Sequence, residues 1–137
     1  MKCLIVEDDF TSRKMLQTYL SDYGDCFIAV NGQEAIDAVR EALEQNDPYD
    51  LICLDIMMPG MDGQETLQAI REMEKQHREY GHKGSKVIMT TVLSDPKHVI
   101  GSFKIGCESY IVKPIKKDRI LGELEKLGLI NPEVSRK

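Results

Sequence analysis

The chain has 137 residues, the length of one ordinary domain and enough for a single buried core. Its hydrophobic fraction of 42% and charged fraction of 30% are typical of a soluble globular protein. The net charge of −5 gives no support to nucleic-acid binding through a broadly basic surface. No apolar run approaches the roughly 18 residues that a membrane span needs, and a strand pattern begins too close to Met1 to leave room for a signal peptide. We therefore expect a cytoplasmic protein without direct nucleic-acid or membrane partners.

The cysteine pattern agrees with a reducing compartment. None of the four cysteines, which are Cys3, Cys26, Cys53 and Cys107, belongs to a C-x-x-C pair. Three of them lie inside apolar, strand-like runs, where reduced core thiols are common. The spacing of these cysteines and of the histidines lacks the pattern of a zinc site.

Five short apolar runs predict β-strands, in residues 2–6, 26–30, 50–55, 86–91 and 109–112. They are rich in Val and Ile, as strands buried on both faces tend to be. The segments between them have helical periodicity. In the second of these segments Ala35, Ile36 and Val39 fall on one helix face. This alternation predicts an α/β fold, with a five-stranded parallel sheet flanked by five helices on both faces in a doubly wound arrangement.

Two sequence patterns mark the starts of predicted helices. Asp62 with Glu65 resembles a capping box, and Asp95 followed by Pro96 suits an N-cap and first-turn position. The helix that follows Asp62 is predicted to be long, because residues 64–80 form one continuous pattern.

Polar side chains stand at the carboxyl ends of the predicted strands, where open parallel sheets bind ligands. The first strand ends in Glu7-Asp8, the third in Asp55, the fourth in Thr91 and the fifth near Lys113. Two carboxylates about 4 Å apart repel by roughly 4 kcal/mol at an effective dielectric near 20. A hard divalent cation relieves that repulsion, and all-oxygen ligands favour Mg²⁺, with Mn²⁺ as the alternative. The pattern therefore predicts a cation site at this edge.

The same constellation suits phosphoryl transfer. A bound Mg²⁺ and the Lys113 ammonium can together stabilise the charge of a transferring phosphoryl group. Carboxylates can act as nucleophiles and form aspartyl-phosphates, so Asp55 is the candidate acceptor.

Four segments resemble the receiver domain of bacterial response regulators in two-component systems: LIVEDD at residues 4–9, DLICLDIMMPGMDG at 50–63, VIMTT at 87–91 and YIVKP at 110–114. The resemblance covers about residues 2–128, and four motifs in order at predicted strand ends make it specific. It implies a flavodoxin-like receiver domain over residues 1–128 and a short C-terminal tail over 129–137. With Met1 so near the first strand, we expect a stand-alone receiver similar to chemotaxis regulators.

The resemblance also implies a role for each metal-site position. Asp55 matches the phosphorylated aspartate, which is also a metal ligand. Asp8 matches the direct Mg²⁺ ligand, and Glu7 the acid that usually holds the metal through water. Met57 matches a position whose backbone carbonyl binds the metal.

A second group of positions matches the residues that respond to phosphorylation. Thr91 matches the hydroxyl that turns toward the phosphoryl group, and Lys113 the lysine that binds a phosphoryl oxygen. Tyr110 matches the aromatic switch residue, which moves inward when the threonine moves. The Lys113–Pro114 peptide bond is usually cis in the family.

The implied function is that of a single-domain signalling protein. It would accept a phosphoryl group on Asp55 from a histidine kinase or histidine phosphotransfer protein, and catalyse only its own Mg²⁺-dependent phosphorylation and dephosphorylation. A conformational switch would then reach a protein partner, or a second copy in a homodimer, through the surface formed by the fourth helix, fifth strand and fifth helix. That surface would carry Lys97, His98, Phe103, Lys104, Tyr110, Lys116, Lys117 and Arg119.

Three other functions fit the sequence less well. A metal-dependent aspartyl-phosphate phosphohydrolase needs a second acid two residues after its nucleophile, where Met57 stands. A flavin-binding electron carrier needs a Ser/Thr/Gly-rich phosphate loop after the first strand, where an acidic run stands. An interaction domain that is not phosphorylated usually loses one member of the acid, threonine and lysine set.

Some neighbouring residues depart from the family or stand outside the proposed site. Val92 occupies a position that usually holds a small residue, so we expect small phosphodonors to react slowly. Apolar Met57 and Leu93 predict a long-lived phosphorylated state. Asp9 is expected to be a solvated loop acid, and Thr90 to point away from Thr91.

Overall fold

The computed structural model describes residues 1–77 and 83–131. Strands and helices alternate strictly along this part of the chain. They are β1 (Lys2–Val6), α1 (Phe10–Leu20), β2 (Asp25–Ala29), α2 (Gly32–Glu44), β3 (Leu51–Leu54), α3 (Gly63–Gln76), β4 (Lys86–Thr91), α4 (Pro96–Ile105), β5 (Ser109–Val112) and α5 (Lys117–Lys126).

The five strands form one parallel sheet in the order β2-β1-β3-β4-β5. The predicted doubly wound α/β fold is confirmed. The chain moves outward from β1 to β2 and then reverses, so that β3 lies on the other side of β1. This reversal opens a crevice outside the carboxyl ends of β1 and β3, the usual place for a ligand in such sheets.

Two apolar layers cover the sheet, one on each face. Helices α1 and α5 pack over the layer that includes Ile5, Cys53 and Ile88. Helices α2 and α3 pack over the other layer, which includes Val6 and Leu54. Successive side chains in a strand point to opposite faces, so this alternation fixes the direction of each polar residue that follows. A one-residue change of register would expose a whole layer to water.

Two strands, β2 and β3, differ from the prediction at both ends. Strand β2 begins at Asp25 and not at residue 26, because the Asp25 N–H donates to the Met1 carbonyl at 2.9 Å and extends the ladder. Strand β3 contains only Leu51–Leu54 of the predicted 50–55. Asp50 instead accepts a hydrogen bond from the Lys2 N–H through its carboxylate, at 2.7 Å.

The helix after Asp62 begins as predicted. The Asp62 carboxylate accepts from the Glu65 N–H at 2.9 Å, and the Glu65 carboxylate accepts from the Asp62 N–H, which completes the capping box. Helix α3 ends at Gln76 with His77 as its C-cap, and the predicted continuation through residues 78–80 lies outside the described residues. None of the helices that the structure describes has both the length and the apolarity to cross a bilayer.

Asp9 is an exposed acid outside the helix, as expected, and it is also the N-cap of α1. Its carboxylate accepts from the Ser12 N–H at 2.9 Å, a bond that stabilises the ionised form and lowers the pKa of Asp9. Asp95 is the N-cap of α4 and precedes Pro96 as predicted. The Asp95 carboxylate contacts His98 Nδ1 at 2.6 Å and makes no bond to a backbone N–H.

Arg71 joins three elements at the end of the sheet opposite the crevice. Its guanidinium donates to the Gly106 carbonyl at 2.6 Å and to the Ser85 carbonyl at 2.9 Å. It also forms ion pairs with Glu74 at 2.6 Å and with Glu108 at 3.0 Å. This network ties α3 to the start of β4 and to the loop before β5, so α3 is held at the end away from Asp55.

Candidate functional site

The crevice brings Glu7, Asp55 and Lys113 into direct contact. Lys113 Nζ lies 2.7 Å from a Glu7 carboxylate oxygen and 3.1 Å from an Asp55 oxygen. Both carboxylates are buried, with side-chain exposures of 0% and 6%, and the lysine is 14% exposed. Because β4 and β3 lie between β5 and β1, the side chains of Lys113 and Glu7 meet across the ends of these two strands.

Hydrogen bonds beyond the strand ends fix these three residues. The backbone N–H of Glu7 donates to the Ala29 carbonyl at 3.0 Å, and that of Asp55 to Val6 at 3.1 Å. The backbone N–H of Lys113 donates to the Thr91 carbonyl at 2.7 Å. The sheet ladder thus continues through the polar residues and gives their side chains defined directions.

Asp8 joins Glu7 and Asp55 in a cluster suited to a cation. One carboxylate oxygen from each of the three residues lies within 4.8 Å of the other two. Asp8 is exposed, so the cluster opens to solvent on its side. The Lys113 ammonium cancels only one of three negative charges. A hard divalent ion with oxygen ligands therefore fits the donor set, as the sequence predicts.

Burial and charge change the acid–base chemistry here. Burial, reinforced by the charge of Asp55, raises the pKa of Glu7 to about 7 in spite of its bond to Lys113. Burial by itself would lower the pKa of Lys113, but the bond to Glu7 and the charge of Asp55 outweigh it and hold that pKa above its ordinary value. The lysine is therefore a fixed cation at neutral pH, while Glu7 titrates near neutrality when no metal is bound.

Thr91 and Tyr110 meet at the backbone of Leu93. The Thr91 hydroxyl is fully buried and accepts from the Leu93 N–H at 3.3 Å. The half-buried Tyr110 donates its hydroxyl to the Leu93 carbonyl at 2.7 Å. Burial raises the pKa of Tyr110, so this phenol keeps its proton near neutrality. The two residues assigned to the switch thus share one loop residue.

Met57 contacts the Asp55 carboxylate through its backbone. Its N–H donates to an Asp55 carboxylate oxygen at 3.2 Å, and its side chain is 55% exposed. The same loop packs against Gly63. A Cβ added to Gly63 would lie 2.2 Å from the Asp55 carbonyl oxygen, so the close approach of α3 to the loop requires glycine.

Arg13 is a site neighbour that the sequence reasoning missed. Its guanidinium donates to the Glu7 carbonyl at 3.1 Å and holds the loop between β1 and α1. Its position one turn into a helix gives no signal for this contact, because the contact depends on the angle at which α1 leaves the sheet.

Val92 lies at the mouth of a largely apolar cleft beside the site. The valine is 60% exposed. The cleft has a volume of about 330 Å³ and is lined by Ser12, Met15, Leu16, Val92, Lys113, Pro114 and Ile115. Val92 and Lys113 thus line the same cleft. The Lys113–Pro114 peptide bond is cis, as the resemblance implied.

The chain matches the family model of the response regulator receiver domain over residues 3–125. The chain belongs to that family. The receiver-domain match spans every strand and helix described above except the first residue of β1 and the last residue of α5.

Curated relatives include both short and long proteins. The chain is 32% identical over 126 residues to the chemotaxis protein CheY of Listeria monocytogenes, and the match covers 92% of the chain and 97% of that protein. It is 35% identical over 127 residues to the transcriptional regulatory protein ResD of Bacillus subtilis, where it covers 92% of the chain but 47% of the relative. The chain thus spans nearly all of one relative and about half of the other.

Solved receiver structures share the fold. Chemotaxis protein CheY4 of Vibrio cholerae matches with a TM-score of 0.74 and 27% identity, covering 91% of this chain and 96% of CheY4. CheY of Borrelia burgdorferi, solved in a complex with CheX, BeF3 and Mg²⁺, matches with a TM-score of 0.78 and 28% identity, covering 93% and 89%.

The predicted output surface, on α4, β5 and α5, is largely exposed. Lys97, Phe103, Lys116 and Lys117 are exposed, whereas Tyr110 is half-buried. Three apolar side chains add to the surface, with exposures of 54% for Ile100, 47% for Phe103 and 41% for Val112. The region therefore combines positive charge with exposed apolar area.

Proposed function

We propose that this receiver domain accepts a phosphoryl group on Asp55 from a phosphohistidine and passes the signal to a protein partner. The observation that carries the proposal is the contact of one lysine with two buried carboxylates. A structural ion pair needs only one acid, and a second buried acid beside it is costly unless a further cation is used. The phosphodonor would be a histidine kinase or a histidine phosphotransfer protein.

Asp55 supplies the nucleophile. One of its oxygens attacks phosphorus, the new O–P bond forms as the N–P bond of the phosphohistidine breaks, and the imidazole leaves. Glu7, Asp8, Asp55 and the Met57 carbonyl would hold Mg²⁺ or Mn²⁺, which when bound neutralises negative charge on the phosphoryl oxygens. Cations beside those oxygens stabilise the transition state because the surroundings are dry and preorganised.

Lys113 supplies the positive charge that belongs to the protein. Its ammonium is already held 3.1 Å from Asp55, so it can donate to a phosphoryl oxygen with little reorganisation. Burial of the neighbouring carboxylates keeps this charge from being screened by water.

The output begins at Leu93. A phosphoryl oxygen on Asp55 would accept the O–H of Thr91 and draw its side chain toward Asp55, away from the Leu93 N–H that now donates to it. If Leu93 moves, the Tyr110 hydroxyl loses its present acceptor, and the ring can turn inward. The change would bias the surface of α4, β5 and α5 toward a state that binds a protein partner or a second copy. We place this exchange in the cytoplasm, where the four free cysteines stay reduced.

Labelling with acetyl phosphate and Mg²⁺, followed by intact-mass and peptide analysis, tests the proposal. Asp55→Asn should abolish the added phosphoryl group. Asp9→Asn is the matched control, because it removes a nearby carboxylate but keeps a good N-cap for α1. Equal labelling of Asp55→Asn and the wild type would refute the proposal.

A further inference from the structure

Thr90 carries an unexplained polar atom in the core. Among the residues that the structure describes, its hydroxyl is the only buried side-chain nitrogen or oxygen without a hydrogen-bond partner. The residue has 0% exposure. Thr66 is also fully buried, but its hydroxyl donates to the Asp62 carbonyl at 2.8 Å. A buried hydroxyl without a partner destabilises a protein, so valine would suit this position better if only packing mattered.

Strand alternation directs Thr90 to the face that holds Asp55. Ile88 packs in the layer under α1 and α5, and Thr90 follows it by two residues in β4. Cys53, on the neighbouring strand β3, packs in the same layer, and Asp55 follows it by two residues, directly after β3 ends. Thr90 and Asp55 therefore lie side by side, on one face, at the same edge of the sheet.

The Lys113 side chain passes over β4 on that face. Lys113 directly follows β5 and contacts Asp55 beside β3 and Glu7 beside β1, and β4 lies between β5 and β3. An ammonium has three protons to donate, and the structure gives two of them to these carboxylates. An acceptor at Thr90 would lie on the route by which the ammonium moves back from Glu7.

We propose that Thr90 is a positioning residue whose hydroxyl binds the Lys113 ammonium when the lysine turns from Glu7 toward a phosphoryl group on Asp55. The inference rests on the proposed function. It explains why a hydroxyl stands at this position although, in the present state, Lys113 donates to Glu7 and Asp55 and the hydroxyl has no partner. The unpartnered state would then be the resting state, and the hydrogen bond would form in the phosphorylated one.

The test compares Thr90→Val, Thr90→Ser and Thr66→Val with the wild type. The rate of Asp55 labelling by acetyl phosphate and the urea midpoint of the unphosphorylated protein are measured for each. Thr90→Val should raise the midpoint and slow labelling about tenfold, the loss typical of a hydrogen bond to a charged group. Thr90→Ser keeps the hydroxyl and should restore a rate within about twofold of the wild type.

Thr66→Val is the matched control, since the same substitution there removes a hydrogen bond that is already made. It should lower the midpoint and leave the labelling rate unchanged. Labelling of Thr90→Val at the wild-type rate, or equal slowing by Thr66→Val, would overturn the role of Thr90. A wild type that is not labelled at Asp55 would instead overturn the proposed function, so the two failures are distinguishable.

Discussion

Replacing Glu7 by Gln should make the metal-free protein less sensitive to rising pH. Burial raises the pKa of Glu7 from 4.5 to about 7 in the folded state. A group with a raised folded pKa favours folding fully below its unfolded pKa, and that contribution is lost as the pH rises through the folded pKa. This rise in the pKa of Glu7 corresponds to roughly 3 kcal/mol of folding free energy. The wild type should lose that stability between about pH 4.5 and pH 8, and Glu7→Gln should not.

Urea unfolding in the presence of a chelator, repeated across this pH range, measures the effect. As the pH rises, the free energy of unfolding of the wild type should fall relative to that of Glu7→Gln, because the amide cannot ionise. Exposed Glu44 provides the control, and Glu44→Gln should follow the wild type throughout. Added Mg²⁺ should stabilise the wild type at pH 8 more than it stabilises Glu7→Gln. If the free energies of unfolding of the wild type and Glu7→Gln change with pH in parallel when no metal is present, burial does not raise the pKa of Glu7 as described.

Three further changes test other parts of the molecule. Val92→Ala should speed labelling of Asp55 by acetyl phosphate at least about threefold, the ratio that roughly 0.6 kcal/mol represents, and an unchanged rate would show that the exposed valine does not restrict access. Arg71→Ala should lower the free energy of unfolding by about 3 kcal/mol, because it removes the guanidinium that donates to two acids and two backbone carbonyls, yet the labelling rate of the folded protein should not change. Gly63→Ala should destabilise by about 2 kcal/mol, since the new Cβ meets the Asp55 carbonyl, and calorimetry that shows no change in Tm would contradict that contact.

The fold and the centre of the site were predictable because both depend on simple periodicity. Glu7, Asp55 and Lys113 each follow an apolar run by one position, and parallel strands bring such positions to one edge. The ends of the helices and strands were harder to predict, because they depend on single hydrogen bonds. Asp25 joins β2 through the Met1 carbonyl, and Asp9 caps α1 through Ser12, and neither bond has a periodic signal.

Side-chain contacts away from the aligned strand ends were not predictable. Arg13 reaches Glu7 only because α1 leaves the sheet at a certain angle. The sequence predicts the direction of Thr90 but not that its hydroxyl lacks a partner, which depends on where every neighbouring side chain ends. Such details belong to tertiary packing and not to local pattern.

Because Lys113 directly follows the last strand, the cluster of Glu7, Asp55 and Lys113 can form only late in folding. The lysine lies 106 residues after Glu7 and 58 after Asp55 in the chain. A polypeptide that has formed β1 and β3 but not β5 would hold two adjacent acids without their cation. Such long-range contacts form late, after the entropic cost of closing long loops has been met. A protein truncated before β5 should therefore keep Glu7 and Asp55 without the lysine that pairs with them. Formation of the Lys113 contacts would show that the whole sheet has formed.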